Sequence, residues 1–370
     1  MEHLPIKYRH FLGLLRLGIG AECDIFQSSE QIDWPIIHRL AEEHCVIGLC
    51  YAGIERLHRE MRPPLPVLMN WFQQTEELTR QYASFESSLA ELAHLLHAQQ
   101  IPYVVFKGLA VANLYPKPSV RQNGDIDFYV PPSYFRKALE VIEQSFNVKI
   151  NKNCVDKHHA FNFQSVRFEI HFQLETFGNS KHQQRFDAML DSDINTILPN
   201  FEIRGEKIPM LPPTTDLILL FKHWFNHLLG EGIGIRQTTD IAQAIKCYRD
   251  KIDVKTLQHR LRDIGYIKAF DAVIALVEEY YGISWEEYWK ESPSLPRFRA
   301  KTFAEKLMSD VFRNGNFGRS DYKHHRGLLK RLETFFRFTA HSCRYFPLAA
   351  NDILFLVPRR ILIALKSFYI

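Results

Sequence analysis

The sequence predicts an α+β fold, with a small mixed-sheet core set between helical N-terminal and C-terminal regions. Three observations predict it. Residues 35–58 and 67–98 carry apolar side chains at three- and four-residue spacing, with charges between them and no period-two alternation. At residue 101 the texture changes to short β-branched and aromatic runs punctuated by Gly and Pro. After about residue 205 the helical spacing returns.

In chain order, PPLP at 63–66 separates the two N-terminal helical segments. IPYVVFKG (101–108) reads as a buried strand ending in a turn or a helix start, and 109–115 as a short helix. The turn-rich PKPSVRQNG leads into DIDFYV, a second strand stopped by Pro131 and Pro132. Residues 133–146 read as a helix with Ser133 as N-cap. HAFNFQ (159–164) and VRFEIHFQ (166–173) are two further strands. The core order is therefore strand–helix–strand–helix–strand–strand. Beyond it, LPPTTDLILLFKHWFNHLL opens on proline with Asp216 in its first turn, and 237–250 and 254–281 are helical. FRNGNFGRS (312–320) breaks the chain before its tail. These transitions divide the chain into 1–98, 99–205, 206–311 and 312–370.

Composition bounds the class. At 370 residues, 46% hydrophobic and 24% charged, the chain is globular, and 28 Phe promise a ring-rich core. A formal net charge of +4 does not by itself call for nucleic acid or a membrane. Cys23, Cys45, Cys50, Cys154, Cys247 and Cys343 are scattered without a C-x-x-C pair, which excludes a zinc ribbon and fits reduced thiols in a cytoplasmic protein. The N-terminus lacks the apolar run of a signal peptide, and no stretch reaches the ~18 apolar residues of a spanning helix. Residues 319–370 hold ten Lys or Arg against three Asp or Glu. That tail reads either as packed helices with solvated basic faces or as an amphipathic segment on an anionic membrane surface.

The chemistry concentrates in GDIDFYV (124–130). Aspartate is depleted in strands, and side chains two apart on a strand share a face. Asp125 and Asp127 therefore repel each other unless a cation lies between them. Divalent magnesium suits such hard oxygen donors, and two ions about 4 Å apart can clamp the attacking and leaving oxygens of a phosphoryl transfer. Glu169, on a later strand, is the candidate third acid, with His171 on the same face. The competing reading is a solvent-facing acidic pair on an edge strand. Upstream, Lys107 follows four apolar residues at a strand end, where an unpaired charge is costly. Gly108 allows backbone N–H groups to approach phosphate oxygens. Arg121 is placed to hold a phosphate or the aspartates.

Lys107-Gly108, Tyr115-Pro116, Arg121 and Gly124-Asp125-Ile126-Asp127 resemble the signature of the polymerase-β-like nucleotidyltransferase superfamily. They are most similar to its bacterial subgroup of uncharacterised nucleotidyltransferase domains. Lys107-Gly108 replaces the superfamily's Gly-Ser pair, and the spacer before Asp125 is longer; the subgroup shares both departures. The resemblance extends over roughly 5–320. It includes IDWPIIHRLAEEHCVIGL (32–49), an H…R…D pattern from HWFNHLL to Arg236 and Asp240, and RNGNFG (313–318).

The resemblance implies transfer of a nucleoside monophosphate from an NTP, with ATP as the expected donor, to an acceptor hydroxyl with release of pyrophosphate. It implies Asp125, Asp127 and Glu169 as ligands of two Mg2+ ions, with Lys107 and Gly108 on the triphosphate. Arg121, His171, Arg236 and Asp240 are further candidates for holding the nucleotide. The acceptor is open: a sugar or other small molecule, a protein or a tRNA end. Arg236 and Asp240, at i and i+4, also fit a simple helix salt bridge. His158, His159, His223 and His227 are open between the site and ordinary packing. The rival functional reading is a non-catalytic nucleotide-binding or scaffold protein with this fold.

Overall fold

The computed structural model describes residues 1, 3–27, 31–152, 157–230, 232–314 and 328–366. Four helices precede the sheet: α1 (Ile6–Gly18), α2 (Trp34–Glu43), α3 (Ile47–Glu55) and α4 (Leu65–Ala98). The expected single helix over 35–58 breaks at Cys45, which takes a left-handed φ of +57°. In α4, Leu89, Leu92, Ala93 and Leu96 recur at i, i+3, i+4 and i+7 and are fully buried.

The core follows as β1 (Val104–Phe106), α5 (Gly108–Ala112), β2 (Ile126–Tyr129), α6 (Pro132–Phe146), β3 (His158–Phe163) and β4 (Val166–His171). The four strands form one mixed sheet in the order β1-β2-β4-β3. β2 runs antiparallel to β1 and parallel to β4, while β3 and β4 are antiparallel. Alternation sorts the two faces. Ile126, Phe128, Phe161, Phe168 and Ile170 are buried on one face, with the Phe161 and Phe168 rings stacked at 5.0 Å. The other face carries Asp127, Glu169, His171 and His158, aligned by the pairs Asp127–Glu169 and His158–His171. Pro131, not Ser133, caps α6, because Pro132 takes the first helical position, where a missing N–H costs nothing.

Three elements go beyond the sequence reading: α7 (Ser180–Ile194) and a hairpin of β5 (Asn200–Ile203) and β6 (Glu206–Pro209). Residues 206–209 are thus a strand, not the start of the helical return. Arg204 and Gly205, both at positive φ, make its two-residue turn, and Phe201, Ile203 and Ile208 face the core.

The rest is helical: α8 (Pro213–Leu229), α9 (Ile235–Tyr248), α10 (Val254–Asp263), α11 (Ile267–Tyr281), α12 (Glu286–Lys290), α13 (Arg297–Asn314) and α14 (Leu328–Lys366). The expected 254–281 helix is two, broken at Gly265, which has a φ of +77°. α8 is buried on most of its circumference and packs against α9, α10 and α14. α14 bends at Ala349, two residues after Pro347, whose ring and missing N–H disrupt the helical ladder. Its Tyr345, Leu348 and Ile353 are buried, and it packs on α8 and α11. No helix among the described residues is long and apolar enough to cross a membrane. The described cysteines, Cys23, Cys45, Cys50, Cys247 and Cys343, are free, and Cys154 lies outside the described residues.

Candidate active site

A cavity of about 310 Å³ opens where the polar face of the sheet meets α8 and α9. Its walls bring together Lys107, Gly108, Arg121, Asp125, Asp127, Glu169, His171, Arg236 and Asp240. His158, His223 and His227 join them. His159 does not: it points to the other side of β3 and packs on the Phe135 and Phe172 rings at 5.6 and 5.7 Å.

Asp127 sits in mid-strand on β2 and is 5% exposed. His171 Nε2 lies 2.8 Å from its Oδ1, and Lys107 Nζ lies 3.6 Å from the same oxygen. Burial pushes this carboxyl up, but Lys107 and the His171 hydrogen bond together outweigh burial and hold it below the usual carboxylate range. Asp125 stands one residue before β2. Burial pushes its carboxyl up to about 6, and the Asp127 and Glu169 carboxylates add to the rise. Glu169, directly across from Asp127, is held at Oε1 by Arg167 at 2.8 Å and at Oε2 by His158 at 3.4 Å. Burial lowers the His171 pKa and favours the neutral ring.

Lys107 follows β1 with a φ of +54°, a strained position for a residue with a side chain, and Gly108 follows at +29°. A Cβ on Gly108 would stand 3.0 Å from the Asp125 carbonyl oxygen. The glycine thus lets the β1–α5 turn press against the backbone that presents the aspartates. With five residues, α5 brings little dipole to this turn.

Asp240 is not the i+4 partner of Arg236. It accepts from Arg121 Nε and Nη2 at 3.0 and 2.7 Å and from the Tyr115 hydroxyl at 2.7 Å. The remaining Arg121 nitrogen, Nη1, donates to Asn123 Oδ1 at 2.5 Å. Arg121 is therefore spent on tying the 121–124 segment to α9. Arg236 Nη1 donates to the Gln122 carbonyl at 2.7 Å, and its Nε is buried without a hydrogen-bond partner.

Two residues were not anticipated. Glu175, 2% exposed, accepts from Asn226 at 2.9 Å, pairs with Lys157 at 3.3 Å and faces His223 Nδ1 at 3.4 Å. Burial alone would raise its pKa, but Lys157 and His223 hold it well below the usual range. Lys157 brings a second ammonium to the cavity wall. Burial, then the Lys107 charge, lowers the His223 pKa to about 4, so this imidazole is neutral near pH 7. The Lys-His-His run at 157–159 marks Lys157 in the sequence, whereas Glu175 lies in an irregular segment with no periodicity to single it out.

No curated protein matches the chain. The crystal structure of an antigenic nucleotidyltransferase-like protein from Paracoccidioides brasiliensis is similar to it at 16% identity, with a TM-score of 0.33 over 48% of this chain and 86% of that one. The profile of the family described as "Uncharacterised nucleotidyltransferase" matches residues 30–282, a span that contains every residue of the cavity wall. The chain belongs to the uncharacterised nucleotidyltransferase family.

Proposed function

We propose that the chain moves a nucleoside monophosphate from an NTP to an acceptor hydroxyl and releases pyrophosphate, with divalent magnesium at Asp125, Asp127 and Glu169. One observation carries this reading: three carboxylates and Lys107 converge on one cavity, with Asp127 and Glu169 paired across β2 and β4. The donor set fits the ion. All three are hard oxygen donors, and Asp125, raised to about 6 by burial first and then by the Asp127 and Glu169 charges, stands where a cation would relieve the repulsion among the three. When bound, the metal would polarise the α-phosphoryl group and stabilise charge on the attacking and leaving oxygens.

The chain's own residues supply the rest. Lys107 stands beside Asp127 to neutralise the departing pyrophosphate, and Gly108 keeps the backbone close enough to donate to it. His171 orients Asp127 through the 2.8 Å hydrogen bond. The Arg121–Asp240 pair holds the segment that ends in Asp125, and the unpartnered Nε of Arg236 is a donor for a phosphate or base oxygen. Glu169 takes the proton of the acceptor hydroxyl as its oxygen bonds to the α-phosphorus and the bond to pyrophosphate breaks.

Incubating the purified chain with labelled ATP, CTP, GTP and UTP, Mg2+ and cell extract tests this. One nucleotide is expected to label one class of acceptor, and Asp127→Ala to abolish labelling. Undiminished labelling by that variant refutes the reading.

A further inference from the structure

We propose that His158, Glu169 and His171 form a binding site for a divalent transition-metal ion of the zinc class. His158 on β3 lies directly opposite His171 on β4, and Glu169 precedes His171 by two residues. All three side chains therefore leave the same face of the sheet. One ligand atom from each lies within 4.8 Å of the other two. His158 Nε2 is 3.4 Å and His171 Nε2 3.8 Å from Glu169 Oε2. Tetrahedral zinc, with bonds of about 2.0–2.2 Å, sets its ligand atoms roughly 3.3–3.6 Å apart along each edge. The two edges to Glu169 Oε2 approach that spacing, and the edge between the two imidazoles lies within 4.8 Å.

The surroundings favour the same reading. Arg167 occupies Glu169 Oε1 at 2.8 Å, so Oε2 is the oxygen left to face the imidazoles. His171 Nδ1 lies 3.4 Å from the Gln173 carbonyl, which turns Nε2 toward the cluster. In the metal-free chain His171 Nε2 donates to Asp127 Oδ1 at 2.8 Å; zinc bound at Nε2 would take the place of that proton, which is released, and leave Asp127 as the adjacent carboxylate that can add an oxygen. Two imidazoles with one carboxylate form a borderline donor set, which selects zinc over the hard magnesium ion. Since His158, Glu169 and His171 all line the cavity, an ion held there would be within reach of a phosphate or hydroxyl oxygen in it. This rests on the transferase reading for the ion's part in transfer, but not for its binding; zinc and magnesium would compete for Glu169 Oε2, since Arg167 holds Oε1.

The test is equilibrium dialysis of the metal-free full chain against Zn2+, with Co2+ absorption reporting the ligand field. One Zn2+ per chain is expected. His158→Gln and His171→Asn should each weaken binding at least about tenfold and change the Co2+ bands. His94→Gln with His97→Gln, surface histidines on Glu206, should leave both unchanged. Zinc binding that survives His158→Gln, or that is lost equally in the surface control, overturns the site. His158, 19% exposed, keeps the test open if the buried His171 variant fails to fold, as circular dichroism would report. Zinc binding that follows the histidines without nucleotide transfer under any metal would overturn the transferase reading and support the site. Transfer with Mg2+ by a chain that binds no zinc would do the reverse.

Discussion

The buried Arg121–Asp240 pair offers the most stringent test of how the site is held. Both side chains are 6% exposed, and Asp240 receives three hydrogen bonds at 2.7–3.0 Å. Removing one partner of such a pair strands a desolvated charge, which costs about 3–5 kcal/mol. Asp240→Ala should cost toward the top of that range, because Arg121 is then left beside Arg236 with only the Asp125 carboxylate to offset the two charges. Replacing both by apolar residues of similar volume, Arg121→Met with Asp240→Leu, removes the charge together with its desolvation penalty. The double variant should therefore be more stable than either single one. Urea unfolding followed by tryptophan fluorescence measures wild type and each of these variants, since Trp224 Nε1 donates to Thr238 on α9. Transfer should nevertheless fall in the double variant, because the segment before Asp125 is no longer tied to α9. A cost below about 1 kcal/mol for Asp240→Ala, or a double variant as unstable as the sum of the singles, would refute the reasoning.

Three further outcomes are expected. Burial pushes the Asp216 carboxyl up to about 7, against a hydrogen bond from Tyr248 at 2.9 Å. The folded state thus keeps a proton that the unfolded chain releases near its ordinary value of about 3.9, so this residue lowers stability progressively as pH rises between those values. Asp216→Asn should flatten the fall in urea midpoint between pH 5 and pH 8; an identical fall in both proteins would sink the assignment. Gly108→Ala forces a Cβ to 3.0 Å from the Asp125 carbonyl at a φ of +29°. It should cost about 1–2 kcal/mol in the same assay and lower transfer. Gly124→Ala, with open space around its Cβ, should leave stability within about 0.5 kcal/mol of wild type.

Period-two alternation made much of the site legible. Once 126–129 and 166–171 are strands, Asp127, Glu169 and His171 must share a face, and the apolar residues between them must form the other. Lys107-Gly108 was legible as a charge that a strand end could not leave unpaired. The partner of Asp240 was not. Local spacing favoured Arg236, whereas the structure joins Asp240 to Arg121, 119 positions away. Spacing ranks neighbours on one helix and says nothing about a competitor brought in by the fold. The β5–β6 hairpin lay in plain view as alternation in FEIRGEKI, hidden only by the helical texture that follows it.

The sequence by itself determined the α+β class, the strands that carry the acids and the face on which they lie, because these follow from local periodicity and steric preference. Tertiary structure decided what surrounds them. It set His158 opposite His171, brought His223 on α8 and Lys157 to Glu175, and spent Arg121 on Asp240. Those contacts join residues far apart in the chain, and the burial that shifts Asp125 and His223 exists only once the helices close over the sheet.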